Sequence, residues 1–215
     1  MKLLEDLLEL LYPTRCAFCH RLTERRQKVC PRCLAALSRV PETVQKQHFT
    51  HISACVSPLW YEGDVRQSLL RYKFGGCRFY ADIYADFVVK CIDENEITCD
   101  SITWVPLSRR RLRKRGYDQA RLLAEALAAR MGLPCERMLV KKRNNPPQSR
   151  TQKASERRAN VRGVYEAAAG VELSGRRVLL VDDIVTTGST LSECAGILRQ
   201  AGASDVAAAT VARAR

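Results

Sequence analysis

Near the C-terminus, the run Val178-Leu179-Leu180-Val181-Asp182-Asp183-Ile184-Val185-Thr186-Thr187-Gly188-Ser189-Thr190 combines residue types able to hold a sugar phosphate. Its four leading apolar residues predict a short buried strand with two carboxylates at the end. A Thr/Gly/Ser turn then leads into a helix. In an open α/β sheet, ligands bind outside the carboxyl ends of the strands. A helix N-terminus holds an anion through free backbone N–H groups and the helix dipole. Asp182 and Asp183 are therefore placed for ribose hydroxyls or a Mg2+ ion, and Thr186, Thr187, Gly188, Ser189 and Thr190 for a phosphate. The bland alternative is a buried strand followed by a helix capped by Ser189 or Thr187. It accounts for the hydroxyls but leaves two carboxylates at a strand end, where unpaired charge is costly to bury.

Such a site needs a sheet beneath it, and the apolar pattern supplies one. Residues 53–61 read as a strand or hairpin arm, 64–72 as a helix and 81–92 as another. Residues 101–106 read as a short strand, 107–115 as an Arg-rich loop and 117–131 as a strongly patterned helix. Strands follow at 138–141, 161–166, 177–181 and 206–211, with a helix at 189–201 between the last two. Strands alternating with helices imply an α/β fold with a mainly parallel, doubly wound sheet. The first helix ends in Lys73-Phe74-Gly75-Gly76, where paired glycines permit positive φ. Lys73 is either a phosphate-facing or a surface lysine. Leucines at 3, 4, 7, 8, 10 and 11 form a helical stripe ended by Pro13. Residues 40–51 read as a linker, and 144–155, with Pro146-Pro147, as a mobile polar loop.

Four of the ten cysteines form two knuckles, Cys16-x2-Cys19 and Cys30-x2-Cys33. Each can put two thiolates on one metal, and the short connection lets them converge on structural Zn2+ with no open position. His20 could compete as a ligand, but four thiolates already close the site. The other cysteines show no paired spacing and read as reduced residues. The chain is long enough for one ordinary domain and a small appendage: an N-terminal helix, zinc module and linker over 1–50, and the main domain over 51–215. No apolar run approaches the roughly 20 residues of a membrane span, and a soluble, cytoplasmic protein is expected.

The net charge of +13 is confined. Residues 108–162 hold 17 Lys and Arg against 4 Asp and Glu, while the rest of the chain balances at 19 of each. Confinement of the whole excess suggests a polyanionic partner: pyrophosphate, nucleic acid or both. Ser108, Arg109 and Arg115 lie just past a strand end, as a pyrophosphate cradle would. Arg110, Arg111 and Arg113 read as solvent-exposed. Arg157 and Asn160, past the polar loop, are candidates for a lid.

The thirteen-residue run resembles the 5-phosphoribosyl-1-pyrophosphate (PRPP) signature of type I phosphoribosyltransferases. Together with the four-cysteine knuckle, Lys73-Phe74-Gly75-Gly76, Arg115-Gly116-Tyr117-Asp118-Gln119-Ala120, Pro147-Gln148 and Arg157-x2-Asn160, it is similar to the ComF family of competence proteins, including homologues named GntX. The resemblance implies a type I phosphoribosyltransferase-like fold, with the adjacent acids on the ribose hydroxyls and the following loop on the 5′-phosphate. Asp118 departs from the family's Asn, so a phosphate-facing role is not assigned to it. Three functions stay open. One is a DNA-uptake factor binding single-stranded DNA, with Mg-PRPP in the site and competence-machinery proteins as partners. Another is an active phosphoribosyltransferase on an unidentified nitrogen acceptor. The third is a PRPP sensor without turnover. Against the first stands a scarcity of aromatics, since Tyr117 and Tyr165 alone lie in or beside the basic block, and single-strand binding draws on stacking.

Overall fold

Side-chain alternation along one strand sets the architecture. A computed structural model describes residues 13–24, 27–142 and 163–215. Leu179 and Val181 are buried in one apolar cluster, Val178 and Leu180 in a second on the opposite face. A strand that is apolar on both faces must be covered on both. Each fully buried leucine stabilises the arrangement by about 1.5–3 kcal/mol.

In chain order the described elements are α1 (Pro31–Ala36), α2 (Glu42–Gln45), β1 (Lys46–Phe49), β2 (Ile52–Val56), β3 (Leu59–Trp60), α3 (Gly63–Phe74), α4 (Tyr80–Glu94), β4 (Ser101–Trp104), α5 (Arg109–Arg115), α6 (Gln119–Met131), β5 (Leu139–Lys141), β6 (Tyr165–Ala167), β7 (Arg177–Val185), α7 (Ser189–Gln200) and β8 (Asp205–Arg213). The main sheet runs β1-β2-β8-β7-β4, with β3 also paired to β8. All its pairings are parallel except β1 with β2. Helices α3, α4 and α6 cover one face, and α7 with the β5–β6 ribbon the other. The doubly wound α/β expectation holds.

Four local expectations change. The aspartates do not follow β7 but lie within it, because β8 continues alongside and pairs Asp182 with Thr210 and Val185 with Arg213. Residues 109–115 form a helix rather than a loop, with Ser108 as its N-cap. The strand expected at 161–166 is β6, which pairs antiparallel with β5 outside the main sheet. Residues 40–51 are not an irregular linker: they contain α2 and β1, a polar edge strand held by pairing with β2. The leucine stripe at 2–11 and the polar segment at 144–155 lie outside the described residues.

Asp118 has a structural task that explains the tolerance of Asp for Asn. Its Oδ1 accepts from the backbone N–H groups of Ala120 and Arg121 at the start of α6, at 3.2 and 3.3 Å. Its Oδ2 accepts from Leu107 N–H at 3.0 Å, tying the loop after β4 to that helix. Burial raises the Asp118 pKa, and these three hydrogen bonds oppose the rise. Every partner is a donor, so the residue needs only oxygen.

The four knuckle thiols converge, with all Sγ atoms within 4.8 Å of one another. Cys19 and Cys30 Sγ are 3.8 Å apart, the edge of a tetrahedron whose sulfurs lie about 2.3 Å from its centre. Burial opposes ionisation of Cys16, yet backbone hydrogen bonds from Cys30, Cys19 and Phe18 bring its thiol down to about 7. The group fits structural zinc, and His20 is not part of it. All ten cysteines are free of disulfides. The knuckle is anchored to the main domain: Phe18 is fully buried against Tyr84 and Phe87, and Ser68 Oγ donates to Ala17 C=O at 2.6 Å.

Two outcomes follow from this packing. Asp118→Ala is expected to lower unfolding stability by about 1–2 kcal/mol, as removal of an N-cap does, and Asp118→Asn to lower it as well, because its amide NH2 would face a backbone donor; urea midpoints of the two variants measure it. Cys16→Ser combined with Cys19→Ser is expected to reduce bound zinc from about one per chain to none and to lower the melting temperature. Metal analysis beside a thermal melt checks both effects.

Candidate phosphoribosyl site

The parallel register brings three segments to one place. Trp104 pairs with Val181, and Val105 N–H donates to Val181 C=O at 3.0 Å, so the chain from Val105 to Ser108 runs beside Asp182 and Asp183. Alternation directs Asp183 toward α3 and Asp182 toward α7 and the β5–β6 ribbon. Asp183 is buried and pairs with Lys73 Nζ at 2.8 Å. Asp182 Oδ1 accepts from Asp183 N–H at 2.8 Å. Burial, followed by the charge of Asp183, pushes the Asp182 carboxyl well above the usual carboxylate range. Both carboxylates are oxygen donors of the kind Mg2+ takes, and they leave β7 on opposite faces.

Of the two readings of Lys73, the surface lysine is excluded. Its side chain is largely covered, and it faces the acid rather than bulk solvent. Removing one member of a buried ion pair costs about 3–5 kcal/mol, because the other is left as an uncompensated charge. Tyr72 Oη donates to Gln119 C=O at 2.6 Å and Tyr117 Oη donates to Tyr72 C=O, clamping the end of α3 to the start of α6. Arg115 donates to Gln119 Oε1 at 2.7 Å, with burial lowering its pKa and Asp183 the leading opposing influence.

After β7 the chain bends through Thr186 and Thr187 to Gly188, which takes φ +70° and precedes α7. A Cβ at Gly188 would lie 2.3 Å from the Phe49 ring, so only glycine fits. Neither Thr187 nor Ser189 caps α7: their hydroxyls bond each other at 2.9 Å, and among the described residues no side chain accepts at this N-terminus. The first-turn N–H groups therefore point toward the loop without a side-chain acceptor among the described residues. The capped-helix alternative is not what forms.

The other expected residues divide. Ser108 is buried, its Oγ accepting from Arg111 N–H at 3.4 Å, and Arg109 is exposed. Arg157 and Asn160 lie outside the described residues. The chain leaves them at Lys142 and returns at Gly163, where Lys142 N–H donates to Val164 C=O and Gly163 N–H to Glu193 on α7. Sequence reasoning missed Arg111 and Lys141. Lys141 Nζ donates to Tyr165 Oη at 2.9 Å and is half-buried. Burial and then the nearby Arg111 lower its pKa, with Asp182 and Asp118 among the opposing charges. Cations from two helices and a ribbon thus surround the acidic pair.

A phosphoribosyl transferase domain family matches residues 118–215, and a double zinc ribbon domain family matches residues 7–44. Competence protein F of Haemophilus influenzae is 37% identical over 116 residues, 54% of this chain and 51% of that protein. The chain therefore spans about half the length of that relative. Competence protein ComFC of Bacillus subtilis is 30% identical over 159 residues, 71% of this chain and 61% of that protein. DNA utilization protein YhgH of Salmonella typhimurium is 28% identical over 207 residues, 89% of this chain and 86% of that protein. With a mainly parallel sheet, a converged four-cysteine knuckle and these relatives, the chain belongs to the ComF family of phosphoribosyltransferase-like proteins.

Proposed function

We propose that this protein binds Mg-PRPP, or a closely related phosphoribosyl ligand, at the end of β7 and single-stranded DNA along its basic surface, as a cytoplasmic factor of DNA uptake and natural transformation. The observation that carries the ligand half is the uncapped start of α7 directly after Asp182-Asp183. The 5′-phosphate would sit on the Thr186–Thr190 loop, against free N–H groups and the helix dipole. Asp182 and Asp183 would hold the ribose hydroxyls and the Mg2+ ion, which neutralises pyrophosphate when bound. Arg111, Arg115 and Lys141 would meet the pyrophosphate, and Lys73 would turn to it as Asp183 takes up ribose. Ser108 and Arg109 border that position, and Arg157 and Asn160 would approach from the segment after Lys142. Positioning and electrostatic neutralisation are what such a ligand requires.

The DNA half is supported by the names of the relatives and by the charge layout. Helix α5 carries Arg or Lys at six of its seven positions, none buried. Neutralising phosphates by Lys and Arg gives affinity without sequence preference. Competence-machinery proteins are the expected partners, and no described helix is long and apolar enough to cross a membrane.

Asp182→Asn with Asp183→Asn is expected to weaken Mg-PRPP binding by at least about a hundredfold, since the variant forgoes two or more hydrogen bonds to charged groups of about 1.5–3 kcal/mol each. Calorimetric titration reads this directly, and undiminished affinity would remove the site assignment. Replacing Arg109, Arg115 and Arg157 together by Ala should weaken binding of a labelled oligonucleotide. It should also flatten the salt dependence, by about 0.7 in the log–log slope for each single-strand phosphate that is no longer neutralised. Anisotropy across a salt series tests it, and an unchanged curve would place the DNA on another surface.

A further inference from the structure

Two large aromatic side chains stand exposed where α3 ends and α4 begins. Phe74 is 65% and Phe79 55% exposed. Single exposed apolar residues need no explanation, but Phe74 lies beside the basic helix and Phe79 follows Arg78, which reaches the C-cap of that helix. The Arg115 guanidinium sits over the Phe74 ring at 4.7 Å. Arg78, between the two phenylalanines in sequence, lies over the Tyr117 ring at 5.0 Å and donates to Gly116 C=O at 3.2 Å. Phe79 packs perpendicular to Tyr80 with centroids 4.8 Å apart and keeps more than half of its surface exposed.

The turn geometry is built for this display. Gly76 takes φ +71°, and a Cβ on Gly75 would meet the Arg71 carbonyl oxygen at 2.9 Å. The tight reversal turns the chain from α3 back into α4 and carries Arg78 to the C-cap of α5 at Gly116. Guanidinium groups set among exposed rings are what an unstacked polynucleotide strand requires: cations for the backbone and π-surfaces for bases. Helix α5 contributes charge without acids, which excludes a basic partner.

We infer that Phe74 and Phe79 form a base-stacking platform for single-stranded DNA, with Arg78, Arg115 and α5 holding the phosphates. The inference rests on the single-strand half of the function proposed above and supplies the aromatic component that the basic block lacks in sequence. It also joins the two sites. The platform begins one residue after Lys73, which pairs with Asp183, and Arg115 both touches Phe74 and lies in the field of Asp183. A phosphoribosyl ligand that draws Lys73 or Arg115 toward itself alters the edge of the platform.

The test is anisotropy of a fluorescein-labelled oligo-dT of about 20 nucleotides with the wild type, Phe74→Ala/Phe79→Ala and Phe74→Trp/Phe79→Trp. The alanine pair is expected to weaken binding about tenfold or more while leaving the log–log salt slope unchanged, because no cation is removed. The tryptophan pair should retain wild-type affinity, and binding of a duplex of equal length should not change. Substituting iododeoxyuridine in the same oligonucleotide should yield photocrosslinks within residues 74–79. A wild type that does not bind the oligonucleotide overturns the single-strand reading itself. A wild type that binds, with the alanine pair equal to it, overturns only the platform. Equal weakening on single strand and duplex also overturns it, pointing to general damage or to a surface for another protein.

Discussion

Burying Asp183 beneath helix α3 obliges the structure to hold a cation against it. The partner is Lys73, at 2.8 Å, on the last turn of α3. Keeping that lysine in place requires the whole corner to be fixed, and the hydrogen bonds of Tyr72 and Tyr117 do so by locking α3 to the Tyr117–Gln119 backbone. On the same last turn, Arg71 donates to Ala17 C=O at 3.0 Å and to Phe18 C=O. A path of direct contacts therefore runs from the cysteine knuckle through α3 to the acidic pair. The zinc module does not touch the aspartates through these contacts; it braces the helix that does.

That bracing gives the knuckle a physical role near the site without any chemistry of its own. Four thiolates leave no coordination position for a ligand. Hydrogen bonds from Ser68 and Arg71 to the Ala17 carbonyl, and burial of Phe18 between α3 and α4, depend on the knuckle holding its backbone shape. In a small module without a large core, the metal supplies that shape.

The legible parts of the sequence were those where local chemistry and tertiary context agree. Val178 to Val181 form the buried strand that their four apolar residues imply, and the Thr/Gly/Ser turn after it leads into a helix as read. The paired cysteine spacing announced its cluster for the same reason: few other arrangements put four thiols in so short a span. Arg111 was missed because an Arg-rich run has no apolar stripe from which to read a period. Treated as a loop, 109–115 has no inward side. As a helix it places Arg111 and Arg115 four residues apart on one half-buried face, with Arg109, Arg110, Arg113 and Lys114 exposed. Lys141 follows the same logic in a strand, since it shares a face with Leu139 by alternation. The β1 strand was hidden because its residues are polar and its stability comes from pairing with β2, a contact no local pattern records.

The distribution of charge and aromatics separates what sequence order can show from what folding assembles. The basic excess is contiguous in the chain, so counting finds it. Phe74 and Phe79 precede it by some thirty residues and read there as ordinary apolar side chains. Only the reversal at Gly75-Gly76, with the docking of Arg78 on Tyr117 and Gly116, leaves Phe74 beside α5 and Phe79 next to the arginine that reaches its C-cap. An exposed ring offered beside a guanidinium leaves a large apolar face in water, a cost a stacked base would recover. The same reversal leaves Lys73 pointing inward and Phe74 outward on consecutive residues. One short segment thus serves the acidic pair with one side chain and the solvent-facing platform with the next, and neither can shift far without the other.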